Sequence, residues 1–200
     1  MIVKKIKVKY TVVLIALIVQ SLLCAQVEVN QLTAVNDFIE KSDLPDDRAI
    51  IVSYGLAEYL NQFLMDNIVD EETNIEFHDF RRILSEEAQL TIFNEKEIKN
   101  LTYQSSRGSG EFLYLLDLPP AFYSPKKVQA IIDNNFSAGV PLDKGLFKLV
   151  LSYPLITRDG QYILFAYSKK LGDVFSRGIS LYRVQNMKVM FVGNLDLSFS

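Results

Sequence analysis

Apolar positions recur at helical spacing through the first two thirds of the chain and then shift to the short blocks and alternation of strands. Leu32, Val35, Phe38 and Ile39 put one apolar face on a helix over about 31–41, which Ser42 and Pro45 stop. Asp46 and Asp47 sit where acids favour a helix N-terminus, and Ile50, Tyr54, Ala57, Leu60, Leu64 and Ile68 keep one face apolar. That pattern predicts a second helix over about 47–67. The β-branched run Ile50, Ile51, Val52 and the interior Gly55 leave a short strand followed by a helix as the alternative. Beyond a polar, acidic connection from Asp66 to Glu76, Phe77 to Leu84 adds a short helix. Asn94, three residues before Glu97, matches a capping box with Asn in place of Ser or Thr, and Ile98 and Leu101 supply the buried face of a helix ending at Gln104.

The segment Ser105–Gly110 reads as a flexible connector. Phe112–Leu116 is a continuous apolar run whose length fits a buried strand, ended by Pro119 and Pro120. Ser124 followed by Pro125 has the order of an N-cap and a first-turn proline, so Lys126–Asn134 is expected to be helical. From Leu146 onward strands dominate. Asp159-Gly160, between Leu155-Ile156 and Tyr162–Phe165, carries the chemistry of a type I′ hairpin turn. Ile179–Tyr182 and Lys188–Val192 continue the meander around Gln185-Asn186, and Pro154 marks an edge or a bulge. The fold class expected is therefore α+β: a helical N-terminal half packed on a C-terminal antiparallel meander of about four strands.

The first 25 residues stand apart from this domain. Lys4, Lys5, Lys7 and Lys9 precede an apolar run from Thr11 to Val19, and Leu23-Cys24-Ala25 ends the stretch, which is the layout of a secretory signal peptide. The run falls short of the ~20 residues that cross a hydrocarbon core, so no stable transmembrane anchor is expected after processing. A single domain over residues 26–200 then remains, placed in the periplasm or outside the cell. Lipid anchoring through Cys24 is the alternative, with Leu23 standing where a small residue is wanted. Cys24 is the one cysteine, which excludes a disulfide framework.

Composition sharpens this only in part. With 49% hydrophobic and 22% charged residues the 200-residue chain is neither a disordered tail nor a low-complexity linker. Charge is unevenly spread: residues 26–117 hold 19 acids and 7 bases, net −12, whereas residues 118–200 hold 5 acids and 10 bases, net +5. The halves should attract each other, and the scattered bases form no stripe that would neutralise a phosphate backbone, which argues against nucleic acid as a partner.

Two stretches carry a likeness. The run Leu151-Ser152-Tyr153-Pro154-Leu155-Ile156-Thr157-Arg158-Asp159-Gly160-Gln161-Tyr162, and a preceding helix with Phe93, Glu97, Ile98, Leu101 and Gln104, resemble small exported bacterial proteins that have no assigned activity. The chain departs from that group in having Ile156 for an aromatic, Met187 for a turn glycine and Val189 for a tryptophan, and it lacks a cysteine pair between Lys170 and Gly178. The resemblance implies export and supplies no activity.

Candidate chemistry is sparse. His78, the sole histidine, with Asp79 beside it, is the candidate general base for a hydrolase, although no Gly-x-Ser-x-Gly elbow accompanies it. Asp66, Asp70, Glu71, Glu72 and Glu76 crowd carboxylates without the spacing of an EF-hand, and read as a solvated acidic loop; no metal and no cofactor are expected. Arg107-Gly108-Ser109-Gly110 offers backbone donors to an anion but lacks the Lys-Ser/Thr of a P-loop. Tyr153, Tyr162, Phe165, Tyr167, Tyr182 and Phe191 fall on strands of one meander, and Tyr162, Tyr167 and Tyr182 are the candidate binding residues of an aromatic platform for a protein, peptide or glycan partner. The sequence thus points to a non-enzymatic binding or interaction module of the periplasm or cell surface, with a hydrolase acting on cell-envelope or extracellular material as the alternative.

Overall fold

The computed structural model describes residues 2–42, 44, 50–66, 84–116, 122–123, 147–171 and 174–199. Helix α1 (Ile2–Lys41) runs without a break through the stretch expected to be a signal peptide and on to Lys41. Its domain end packs where the sequence places its apolar face, with Ala34, Val35, Phe38 and Ile39 buried, whereas Leu17, Ile18, Val19 and Leu22 are exposed. Among the described residues no helix is long and apolar enough to cross a membrane.

The single helix expected over 47–67 is instead a strand and a helix, β1 (Ile50–Tyr54) and α2 (Ala57–Asp66). The β-branched residues fit a pleated strand better than a helix. Leu56, at a left-handed φ of 65°, breaks the chain direction, and its carbonyl accepts from Leu60 N at 2.9 Å to start α2. Helix α3 (Glu86–Phe93) begins at Ser85, whose side chain accepts from Ala88 N. Helix α4 (Glu95–Arg107) begins at Asn94, whose Oδ1 accepts from Glu97 N at 2.8 Å. That helix runs three residues past its expected end. The strand expected at Phe112–Leu116 is a 3-10 turn, Gly110–Tyr114. Phe112, Leu113 and Leu116 are buried while Tyr114 and Leu115 are exposed, a helical rather than alternating pattern that an unbroken apolar run conceals.

Strands β2 (Phe122–Tyr123), β3 (Phe147–Leu151), β4 (Leu155–Ile156), β5 (Tyr162–Leu171), β6 (Val174–Gln185) and β7 (Lys188–Phe199) complete one sheet of seven strands. The order is β2-β1-β3-β5-β6-β7, with β4 continuing the line of β3 along β5. The meander is antiparallel, as the sequence indicates, but β1 from the N-terminal half joins it in parallel with β2 and β3, so the sheet is mixed and wider than expected. The fold is α+β.

Both faces of the sheet are covered. Phe165, Tyr167 and Tyr182 pack against Val35, Phe38 and Ile39 of α1 in one core, while Tyr162, Leu164, Ile179 and Leu181 pack against Leu60, Phe63, Ile92 and Leu101 in the other. A register shift at Leu181/Tyr182 pairs Leu181 with Gly193 and Tyr182 with Phe191. The turn chemistry is also redistributed. At Asp159-Gly160 only Gly160 has a positive φ, 70°, and its N–H closes a tight turn on Thr157 O at 2.8 Å. The two-residue turn with positive φ at both positions is Asn186-Met187, at 51° and 61°.

Candidate functional site

The break between β3 and β4 organises a pocket among the described residues. Pro154 has no N–H for a ladder, and the chain leaves the sheet at Ser152–Pro154. Ser152 repairs the gap: its N–H donates to Ala166 O at 2.9 Å and its Oγ accepts from Ala166 N at 2.8 Å. Two glutamines then hold helices against the break. Gln31 of α1 donates to Pro154 O, and Gln104 of α4 donates to Ile156 O at 2.7 Å while accepting from Ile156 N at 3.0 Å. A glutamine amide presents the same donor and acceptor pair as a peptide unit, so Gln104 covers the exposed edge of β4 as another strand would.

Between these anchors lies a pocket of about 510 Å³. Its buried floor includes Phe112, Pro154 and Ile156, and its exposed rim includes Glu28, Arg107 and Ser109. Tyr153 stands edge-on to Phe112, with centroids 5.7 Å apart. The Arg107 guanidinium lies over the Tyr103 ring, 4.9 Å from its centroid. Burial pushes the Tyr153 phenol above its ordinary pKa and the Glu28 charge adds to this, while a hydrogen bond with Gln31 works the other way. Tyr153 therefore presents a neutral hydroxyl at physiological pH.

The segment Arg107–Gly110 is neither a flexible connector nor an anion cradle. Gly108 and Ser109 are extended, and Tyr54 Oη donates to Gly108 O at 2.9 Å. A Cβ at Gly108 would stand 2.4 Å from Tyr153 Cβ, and one at Gly110 would stand 2.8 Å from Tyr54 Cβ. The glycines are required because two tyrosines lie against the backbone, and the segment is a packed wall of the pocket.

Of the residues singled out in the sequence as candidate chemistry, Arg107, Gly108, Ser109 and Tyr153 line this pocket, and the other described ones do not. His78, Asp79 and the carboxylates from Asp70 to Glu76 lie outside the described residues, as do all but Leu84 of the helix expected over 77–84 and the whole of that expected over 126–134. Asp66 ends α2, exposed. Among the described residues no group of three or more His, Cys, Asp or Glu is placed to hold a metal ion. Tyr162, Tyr167 and Tyr182 are 6%, 1% and 0% exposed. Their rings belong to the two cores: Tyr167 lies 4.7 Å from Phe38 and Tyr182 stacks on Phe165 at 6.0 Å. These three side chains therefore do not form a solvent-facing platform, because helices cover both faces of the sheet and strand alternation alone does not reveal a covering layer. Of the aromatic set Tyr153 lines this pocket. Gln31 and Gln104 were not legible as site residues, although each adjoins an apolar helix face beside Leu32 and Leu101, where a long amide has backbone within reach.

No known protein family matches the chain, and no curated protein and no solved structure matches it either.

Proposed function

We propose that this chain is an exported, non-enzymatic binding protein whose ligand site is the pocket between α1, α4 and Tyr153. The observation that carries this reading is the construction of the pocket. An apolar floor of Phe112, Pro154 and Ile156 is combined with a few polar groups, and the backbone around it is pinned by Gln31, Gln104 and Tyr54. Pre-formed sites for small organic molecules have this composition: mostly apolar, with a small number of fixed polar groups that orient the ligand. The neutral Tyr153 hydroxyl, the Tyr103 ring and the charged rim of Arg107 and Glu28 suit a polar ligand with an apolar face, such as a sugar ring.

Export is supported by the leader and by where packing starts on α1. Among the described side chains burial begins at Asn30 and Gln31, and the pocket begins at Val27, next to the expected cleavage point after Ala25. Residues 17–22 contribute only exposed side chains.

A thermal-shift panel of sugars, short peptides and nucleotides tests the reading. A ligand at a hundred times its dissociation constant contributes about 2.7 kcal/mol, which raises Tm by about 5–10 °C at this chain length. Tyr153→Ala should abolish the shift. A flat panel, or a shift unchanged in that variant, refutes the assignment of the site.

A further inference from the structure

Three ionised side chains bound the pocket between α1, α4 and Tyr153 without pairing. Glu28 of α1, Arg107 at the end of α4 and Glu111 of the 3-10 turn all line it, and all are exposed. None of them forms a salt bridge with another or with any other described group. Elsewhere on the exposed helix surface opposite charges do meet, Lys41 with Asp37 at 2.8 Å and Lys99 with Glu95 at 2.6 Å. The Arg107 guanidinium lies over the Tyr103 ring, which positions its charge without neutralising it.

The polar groups on the walls sort by hydrogen-bond sense. Arg107 only donates, and Ser109 beyond it has an Oγ that accepts from Glu111 N at 3.3 Å, which leaves its proton to give. These donors are side chains, because the backbone at Gly108 and Ser109 is extended and Tyr153 lies against Gly108. On α1, Glu28 only accepts, and its charge reaches the Tyr153 hydroxyl, which burial keeps protonated. One wall thus offers donors to an anionic group, and the other offers an acceptor to a cationic one.

Neither sign of charge alone satisfies this set. Two carboxylates against one guanidinium disfavour a simple anion, and a simple cation leaves Arg107 unpaired. A neutral ligand fills the space but leaves all three charges to water. Between the charged walls the floor of Phe112, Pro154 and Ile156 is buried and apolar, so the body of the ligand must be apolar as well.

We propose that the pocket binds a dipeptide or tripeptide with free termini and apolar side chains, its ammonium at Glu28 and its carboxylate at Arg107 and Ser109. This rests on the reading of the pocket as the ligand site and names the ligand class. A dipeptide holds its terminal charges apart, its Cα atoms being about 3.8 Å from each other, which suits an acid and a base that do not meet. The volume of about 510 Å³ lies in the range that encloses organic ligands of this size.

Calorimetric titration of the full chain with leucyl-leucine, its N-acetyl form and its C-terminal amide tests the assignment, with glucose as the neutral comparison. Leucyl-leucine should bind about five- to tenfold more tightly than either blocked form, the effect of an exposed ion pair together with one hydrogen bond. Glu28→Gln should erase the preference over the N-acetyl form and keep that over the amide, and Arg107→Gln should do the reverse. Both sites are exposed, so each unliganded variant should melt within about 2 °C of the parent chain. Equal affinities for the three forms, or preferences unchanged in both variants, would overturn the inference. So would binding of glucose that is lost in Tyr153→Ala, with no heat from leucyl-leucine at about 10 mM, a result that keeps the pocket as a ligand site. No saturation by any of the four would count against both readings.

Discussion

Glu97 and Asn94 share one helix end but serve different parts of the molecule. Asn94 does what its position in the sequence promises and caps α4. Glu97, which in a capping box returns to the cap N–H, is turned instead toward the β4–β5 hairpin, where Oε1 accepts from Arg158 N at 3.0 Å and from Asn100 Nδ2 at 2.8 Å. Half of the motif is local, and the other half has been used to join a helix to a hairpin. Glu97→Ala should therefore cost about 1.5–3 kcal/mol, the range for a lost charged hydrogen bond that strands a backbone donor, rather than the few tenths of a surface helix site. Urea unfolding of the two proteins measures it. Tyr182 predicts a pH dependence. Burial, with the Asp37 charge beside it, holds its phenol above the ordinary value of 10, so the folded chain keeps a proton that the unfolded chain loses. Stability is then unaffected by this group below about pH 10 and falls as pH rises beyond it. Burial raises Tyr153 and Tyr59 as well, which adds to the same alkaline decline. Urea midpoints at pH 8 and pH 11 should differ less in Tyr182→Phe than in the parent chain; equal differences would refute the assignment.

At the scale of elements, the turns show most clearly what a sequence conceals. Asp159-Gly160 has the composition of a type I′ turn, yet Thr157 takes over the corner: its Oγ accepts from Tyr162 N at 3.0 Å and donates to Asp159 Oδ1 at 2.6 Å, which leaves one positive φ instead of two. The hairpin itself was legible because strands flank those residues on both sides. The true two-residue turn falls on Asn186-Met187, where Met187 occupies the left-handed region at 81% exposure. An L side chain there costs roughly 1–2 kcal/mol, of which the added chain entropy of glycine cancels part. Met187→Gly should therefore stabilise the fold by about 0.5–1 kcal/mol, read as a rise in urea midpoint with an unchanged slope. Packed neighbours decide the remaining elements. Ile50–Val52 becomes a strand because β3 offers a parallel partner, and Phe112–Leu113 turns inward at Gly110 because Tyr54 occupies the space beside that glycine. Neither partner is near in sequence. The same distance hid the pocket, whose walls join residues 27–32, 103–115 and 153–156.

The molecule as a whole is a sheet with two cores, and α1 makes most of the helical cover of one of them. Ala34, Val35, Phe38 and Ile39 are its buried contribution, and Gln31 ties it to the β3–β4 break. Toward the N-terminus the same helix continues with Leu17, Ile18, Val19 and Leu22 exposed, so that stretch adds no buried side chain to the core. Removing residues 1–25 takes away no described core contact. Removing the next sixteen residues uncovers Phe165, Tyr167 and Tyr182, three of the large side chains of that face, each worth about 1.5–3 kcal/mol of burial when fully covered. Loss on that scale exceeds what a domain with a net stability of 5–15 kcal/mol tolerates once several such side chains are exposed together. Under the proposed export the mature chain should begin at Gln26 and melt within about 1 °C of the full-length protein, whereas a truncation that begins at Ser42 should show no cooperative transition. N-terminal sequencing and intact mass locate the cleavage point, and a lipid mass on Cys24 would replace free release with anchoring. A melting temperature that falls sharply when residues 1–25 are removed would mean that this stretch packs on the domain, contrary to the exposure of residues 17–22.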